Sequence, residues 1–83
     1  MARFIDIHNG MTGIDKDALM AGHQLDLEAE KDEGVHFLHA WADPTSGKCF
    51  CLSEGPDRDA VKRVHEKAGH ATDEIYEVSV EVE

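Results

Sequence analysis

The stretch Val35–Glu54, VHFLHAWADPTSGKCFCLSE, decides the fold. Residues 35–42 and 48–54 are rich in apolar and aromatic side chains, and Asp43–Gly47 between them is made of turn-forming residues. Two strand-like runs joined by a short turn of this kind are typical of a β-hairpin. The sequence therefore predicts that the second and third strands of the domain form an antiparallel pair.

A helix is predicted on each side of this hairpin. From about Asp15 to Glu33 the apolar spacing is helical, and Gly34 is a natural C-terminal stop. The predicted buried stripe of this first helix is Ile14, Ala18, Ala21, Leu25 and Ala29. Gly22 lies inside the helix, where glycine is unfavourable, and therefore predicts close packing at that point.

The second helix is predicted to begin after Asp57, which is a good N-cap residue, and to end at Gly69. Its predicted buried stripe is Ala60, Val61, Val64, His65 and Ala68. Outside the two helices, alternating residues predict a first strand over residues 3–8 and a last strand over Glu74–Glu83.

The resulting order is β-α-β-β-α-β, and it predicts a ferredoxin-like α+β sandwich formed by a single domain, residues 1–83. We expect a four-stranded antiparallel sheet with both helices on one face. The other face would carry either Phe4 or the opposite set of the first strand, together with large residues such as Trp41. Because an exposed apolar sheet face usually has a partner, we expect a homodimer formed through the sheets.

Composition excludes several classes of partner. The 83 residues include 18 acidic and 8 basic side chains, for a formal net charge of −10, and no basic cluster occurs. Such a chain lacks the electrostatic surface needed for nucleic acid or anionic lipid. No apolar run reaches the roughly 18 residues of a membrane span, and no signal-peptide pattern is present. We therefore expect a cytoplasmic protein without membrane or nucleic-acid partners.

Six histidines in so short a chain are the most unusual feature. His23 and Asp26 are neighbours on the first helix, where they either share a metal or form a solvated flank. His65 lies within the buried stripe of the second helix, so it is either neutral and hydrogen-bonded or bound to a metal. Asp6 and His8 share one face of the first strand, but they meet His65 only if Ile5 and Ile7 face away from the helices.

The remaining histidines and the cysteines each have a simple structural explanation. His36 and His39 are predicted on opposite faces of the second strand, and His70 follows the second helix, where positive charge suits the helix dipole. Cys49 and Cys51 share a strand face at a spacing unsuited to a disulfide, and they are either small buried residues or soft metal ligands. Nucleophilic catalysis by Cys51 with His65 is a further alternative.

A set of short motifs follows a fixed order along the chain: Phe4-Ile5-Asp6-Ile7-His8, Gly22-His23 with Asp26, Trp41, Phe50-Cys51-Leu52, Pro56-Asp57, Val64-His65 and Ala71 to Val78. In order and spacing this set resembles a family of small bacterial domains, formerly of unknown function, that is typified by a nickel-binding protein. The resemblance spans Phe4 to about Val78. It implies a ferredoxin-like fold, a dimer and a site for a divalent transition metal.

Carried over residue by residue, the resemblance implies the metal ligands His8, His23, Asp26, Cys51, His65 and His70. The last of these is displaced by one residue, since relatives read Ala-His-Gly where this chain reads Ala68-Gly69-His70. Imidazole ligands suit nickel, copper, zinc and iron, and nickel is favoured by the resemblance.

The leading hypothesis is a small non-catalytic protein that binds nickel-like ions. The alternative is a small-molecule-binding or enzymatic domain of the dimeric α+β barrel type, with a pocket between sheet and helices. A third reading is an interaction module whose histidines are incidental.

Overall fold

The chain forms four strands and two α-helices in the predicted order. The computed structural model describes all 83 residues. The elements are β1 (Ala2–His8), α1 (Lys16–Ala29), a 3₁₀ turn (Glu30–Asp32), β2 (His36–Asp43), β3 (Lys48–Gly55), α2 (Arg58–Ala68) and β4 (Glu74–Glu77). The ferredoxin-like α+β fold predicted from the sequence is confirmed. Neither helix is long and apolar enough to cross a membrane.

The four strands form one antiparallel sheet in the order β2-β3-β1-β4. The central pair, β1 and β3, places Asp6 opposite Cys51 and His8 opposite Cys49. These positions are far apart in sequence, and the register makes their backbones neighbours. A carboxylate, an imidazole and two thiols therefore come from the centre of the sheet rather than from a loop.

The core lies between the sheet and α2. Its buried apolar residues are Phe4, Val35, Phe37, Cys51, Ala60, Val61 and Val64. The Asp57 side chain caps α2 by accepting a hydrogen bond from the Ala60 N–H at 2.8 Å, and Gly69 ends the helix in the left-handed conformation with φ +88°. The predicted cap and stop of this helix are thus confirmed, as is burial of His65 within its stripe.

Most of the stripe predicted for α1 is wrong, and of its members only Ala29 packs against the core. Leu25 is 47% exposed, whereas the neighbouring Asp26 is only 2% exposed. The α-helix also ends at Ala29 rather than Glu33, because the next three residues tighten into a 3₁₀ turn. The helix packs against the core through Leu27 and Ala29, and it also turns the carboxylate of Asp26 inward against the imidazole of His65.

Gly22 gives a second correction on α1. A Cβ built at this position meets no atom within 4 Å, so close packing does not explain the glycine. Glycine in a helix interior is roughly 0.5–1 kcal/mol less favourable than alanine. Gly22 therefore lowers the stability of α1 without improving the contact between α1 and a neighbouring element.

Strand β1 turns Phe4 and Asp6 towards the helices and Ile5 and Ile7 towards the other face. The alternation predicted from the sequence is correct, and the bulky ring of Phe4 sets its direction by filling the core. Of the two orientations left open, the structure has the one that lets Asp6 meet His65.

Two further predictions about the strands need correction. A bulge between Phe37 and His39 shifts the register of β2, so that His36 and His39 are both exposed on the same face rather than on opposite faces. The last strand ends at Glu77 instead of Glu83: its pairing with β1 stops at Phe4 opposite Glu77, followed by one further hydrogen bond from the Val78 N–H to the Arg3 carbonyl oxygen.

Candidate metal centre

The centre of the site is His65, whose side chain is fully buried between two carboxylates. Its Nε2 lies 2.8 Å from Asp6 Oδ2, and its Nδ1 lies 2.9 Å from Asp26 Oδ1. Strand β1 supplies Asp6 and helix α1 supplies Asp26, while α2 holds the imidazole between them. Because both ring nitrogens face carboxylate oxygens, a neutral imidazole would leave one nitrogen lone pair against an anion.

The two carboxylates favour the protonated form of His65. Burial alone would lower the pKa of His65, but its contacts with Asp26 and Asp6 dominate and raise the pKa to about 9. Burial would likewise raise the pKa of Asp6, and the contacts with His65 and His8 reverse that effect and lower it. The buried set therefore contains a cation held by two acidic groups.

His8 presents a nitrogen without a hydrogen-bond partner. Its Nδ1 lies 3.1 Å from the Ala71 carbonyl oxygen, which can only accept, so Nδ1 carries the proton in that contact. The other ring nitrogen is Nε2. It lies 3.1 Å from Asp6 Oδ1, but it is buried and makes no hydrogen bond. A cation placed between this nitrogen and the carboxylate oxygen could bind both atoms.

His70 extends the set on the side of α1. The left-handed turn at Gly69 carries the chain off α2, and His70 Nε2 reaches Asp26 Oδ1 at 2.8 Å. The ring of His65 has its centroid 4.7 Å from that of His8 and 5.5 Å from that of His70. Three imidazoles therefore surround the two carboxylates.

Cys51 lies beside this set on β3. The thiol is buried, and burial together with the charges of Asp6 and Asp26 raises its pKa far above the usual range. Burial also raises the pKa of Cys49. Both cysteines are free, as their spacing predicts. A nucleophile needs a thiolate, so the arrangement does not favour the alternative of Cys51 acting on a substrate with His65.

Two groups of side chains have ligand atoms close enough to hold a metal ion. The first group is Asp6, His8, Cys51 and His65, and the second is Asp26, His65 and His70; within each group the ligand atoms lie within 4.8 Å of one another. These donors fit a divalent transition metal, because imidazole and thiolate suit nickel-like ions and the carboxylates balance the charge.

Five of the six predicted ligands fall in these groups, and His23 falls in neither. Asp6 joins the first group, although the sequence reasoning gave it no ligand role. The signal that would have found it is its alternation with Phe4: a large aromatic residue on a central strand belongs in the core, and the same face then carries Asp6 and His8 inward.

Comparison with known proteins identifies the family. The family model described as nickel responsive protein SCO4226-like matches residues 4–78. The chain belongs to this family. The crystal structure of SCO4226 from Streptomyces coelicolor A3(2) is similar to this chain, with 59% sequence identity and a TM-score of 0.95 over 98% of this chain and all of that one. Among curated proteins, none matches.

This SCO4226-like domain also contains a pocket beside the candidate metal groups. The pocket has a volume of about 120 Å³ and lies between α1, β3 and the loop after β1. Its polar lining residues include His8, His23, Asp26 and His70, and its apolar lining residues include Met11, Ile14, Leu19 and Ala40. His23 Nδ1 is buried and has no hydrogen-bond partner. His23 thus belongs to the pocket wall rather than to either ligand group.

Proposed function

We propose that the protein is a small, non-catalytic binder of a divalent transition metal, with nickel favoured and copper, zinc or iron as the other candidates. Membership of a family described as nickel responsive supports the choice of metal. The donor types support the class, since nitrogen and sulfur ligands select these ions over magnesium or calcium.

The observation that carries the proposal is the contact between His8 and Asp6. The buried Nε2 atom of His8 lies 3.1 Å from a carboxylate oxygen of Asp6 and makes no hydrogen bond. Unpartnered buried polar atoms are costly, and native proteins rarely keep them without a reason. A bound cation supplies that reason, because it would convert the unfavourable pair into two ligands.

The proposed ligands are the members of the two groups described above. They comprise Asp6, His8, Asp26, Cys51, His65 and His70. His65 is common to both groups, so we propose that it either binds the ion directly or fixes the two carboxylates that do. The ion would supply positive charge at the point where the metal-free protein relies on a protonated imidazole. His23 lines the pocket and belongs to neither group, and we propose that it reaches the ion only by way of the pocket.

The test is a calorimetric titration of untagged protein with Ni²⁺ at several pH values. Imidazole binds a metal in its neutral form and cysteine as thiolate, so binding should release protons and weaken as the pH falls. If His65 is a ligand, its pKa of about 9 means that protons compete with the metal ion for this ring at every pH below about 9. Apparent affinity should then fall about tenfold for each pH unit per proton displaced.

A matched control uses the histidines of the outer face. The double variant His36→Ala/His39→Ala removes two exposed imidazoles and should bind Ni²⁺ like the natural protein. The variant His8→Ala should lose at least tenfold in affinity. Binding that is independent of pH, or equal in the two variants, would contradict the histidine site.

We also propose that the protein is a homodimer, formed through the sheet face opposite the helices. Ile5, Ile7, Phe50 and Leu52 lie on that face at the centre of the sheet, and Trp41 is 50% exposed beside them. A contiguous apolar patch of this kind is typical of an interaction surface. Sedimentation should give a dimer, and Ile7→Glu should give a folded monomer; a monomeric natural protein would contradict the proposal.

The pocket favours a second candidate function, a small-molecule-binding domain that needs no metal. This alternative predicts that the metal-free protein binds an organic ligand and gains stability from it.

The cytoplasmic location expected from the sequence also stays a prediction.

A further inference from the structure

The pocket beside α1 has a feature that the binding of a bare ion does not require. Gly22 lies on its wall, and the space in front of that glycine contains no atom within 4 Å of a built Cβ. Any larger residue would improve the helix and also occupy the pocket. The glycine therefore keeps a space open at a cost to the helix, which indicates that the space has an occupant.

The pocket leads to the proposed ligands. His8, Asp26, Cys51 and His70 all line it as well as belonging to the two groups. An ion held by these side chains would lie at the pocket wall, and the unpartnered Nδ1 of His23, another lining residue, is also buried. Most of the other lining residues are apolar. A molecule in the pocket could thus contact the ion while most of its surface lies against hydrocarbon.

We propose that the pocket binds a small, neutral, mainly apolar organic molecule that donates one nitrogen atom to the metal ion. This inference rests on the proposed function, and it names the partner of that site. The ion is held jointly by the protein and by this co-ligand. The volume of about 120 Å³ suits a molecule near the size of benzene, which fills a cavity of roughly 150 Å³.

Charge decides between a neutral and an anionic co-ligand. Asp6 and Asp26 are both buried, and as carboxylates they balance the two charges of a divalent ion, while a bound Cys51 thiolate would add a third negative charge. An added carboxylate would leave a negative charge uncompensated in a buried site with largely apolar walls, which is strongly unfavourable. A neutral nitrogen donor adds no charge, and nitrogen is a ligand that nickel prefers.

Pyridine is the probe, because it has the shape of benzene and one nitrogen donor. The protein is first titrated with Ni²⁺ alone, which tests the proposed function independently. Pyridine is then added to the nickel-loaded protein, and its binding is followed by calorimetry and by the ligand-field absorption of Ni²⁺. We expect saturable binding, a shifted absorption band and an affinity at least tenfold above that of pyridine for Ni²⁺ in buffer.

Two pocket-filling variants and one control locate the binding. Gly22→Val and Ala18→Leu both place side-chain volume at the pocket, and each should retain Ni²⁺ while losing at least tenfold in pyridine affinity. Ala21→Leu changes the adjacent exposed position of the same helix and should alter neither.

The outcomes separate this inference from the function on which it rests. No binding of Ni²⁺ by the natural protein would overturn both. Binding of Ni²⁺ with unsaturable pyridine binding, or with equal pyridine affinity in the filled variants, would overturn the co-ligand alone. Benzene bound as tightly as pyridine, with an unchanged absorption band, would also overturn it, because the pocket would then select for shape without a donor atom.

Discussion

The two helices cover the same sheet face with opposite chemistry. Helix α2 buries Val61 and Val64 in the core, as expected for an amphipathic helix. Helix α1 buries Asp26 instead and leaves Leu25 47% exposed. Helix α2 is thus held mainly by apolar burial, whereas α1 combines the apolar contacts of Leu27 and Ala29 with contacts of its carboxylate with His65 and His70.

His65 links these two modes of packing. It occupies a core position of the apolar helix, yet its ring contacts carboxylates from β1 and α1. A helix that packs through an ion pair depends on the partner's charge, and such pairs are costly to break once buried. The comparison therefore predicts that the packing of α1 depends on charge and pH, whereas the packing of α2 depends on the volume of its apolar side chains.

The largest effect is expected from His65→Ala. Removing the imidazole leaves Asp6 and Asp26 buried without a cation, and breaking a buried pair in this way costs about 3–5 kcal/mol. Urea unfolding of the metal-free protein measures the loss. The triple variant with Asp6→Asn and Asp26→Asn should recover a large part of it. A loss below about 1 kcal/mol would mean that the carboxylates are not ionised in the folded protein.

The same contrast explains how much of the molecule could be predicted from its sequence. The hairpin, the order of the elements along the chain and the whole of α2 follow from local patterns, since Asp57, Gly69 and the apolar spacing act within a few residues. The orientation of α1 does not. Its inward residue Asp26 is stabilised by side chains 39 and 44 positions away, His65 and His70, and hydrophobic periodicity contains no such information.

The residues of the candidate site could likewise be predicted from the sequence only in part. His8, Cys51 and His65 were predicted from the resemblance, and the register between β1 and β3 brings Asp6 into their group. That register depends on pairing across the sheet, which the sequence of one strand does not specify. The family resemblance predicts His23 as a ligand, but His23 lines the pocket, and the rotation of the helix decides this.

The second prediction concerns the pH dependence of stability. The pKa of His65 is raised from 6.5 to about 9 in the folded protein, so its contribution is complete below pH 6.5 and is lost as the pH rises through 9. At about 1.4 kcal/mol per pH unit, the difference amounts to about 3 kcal/mol over this window. The free energy of unfolding of the metal-free protein should therefore decrease between pH 6.5 and 9.

Urea unfolding at several pH values from 6.5 to 7.5 measures this slope and stays below the pKa of about 8.5 of a cysteine in the unfolded chain. The variant His65→Gln has no titrating ring at this position and should show a nearly flat profile over the same range. A natural protein whose stability is flat or rises with pH would contradict a protonated His65. Saturating Ni²⁺ should reverse the trend if the ion displaces that proton, since metal binding strengthens as the pH rises.

The smallest of the three effects tests the two helices directly. Val61 is fully buried on α2, and Val61→Ala removes two carbon atoms and leaves a cavity, which should cost about 2 kcal/mol. Leu25→Ala on α1 removes a larger side chain from an exposed position, and it should change the free energy of unfolding by less than about 0.5 kcal/mol. If the size of the removed group alone decided the loss of stability, Leu25→Ala would cost more than Val61→Ala. Equal losses in the two variants would show that Leu25 is buried in solution, and that α1 packs through the apolar stripe that its sequence predicts.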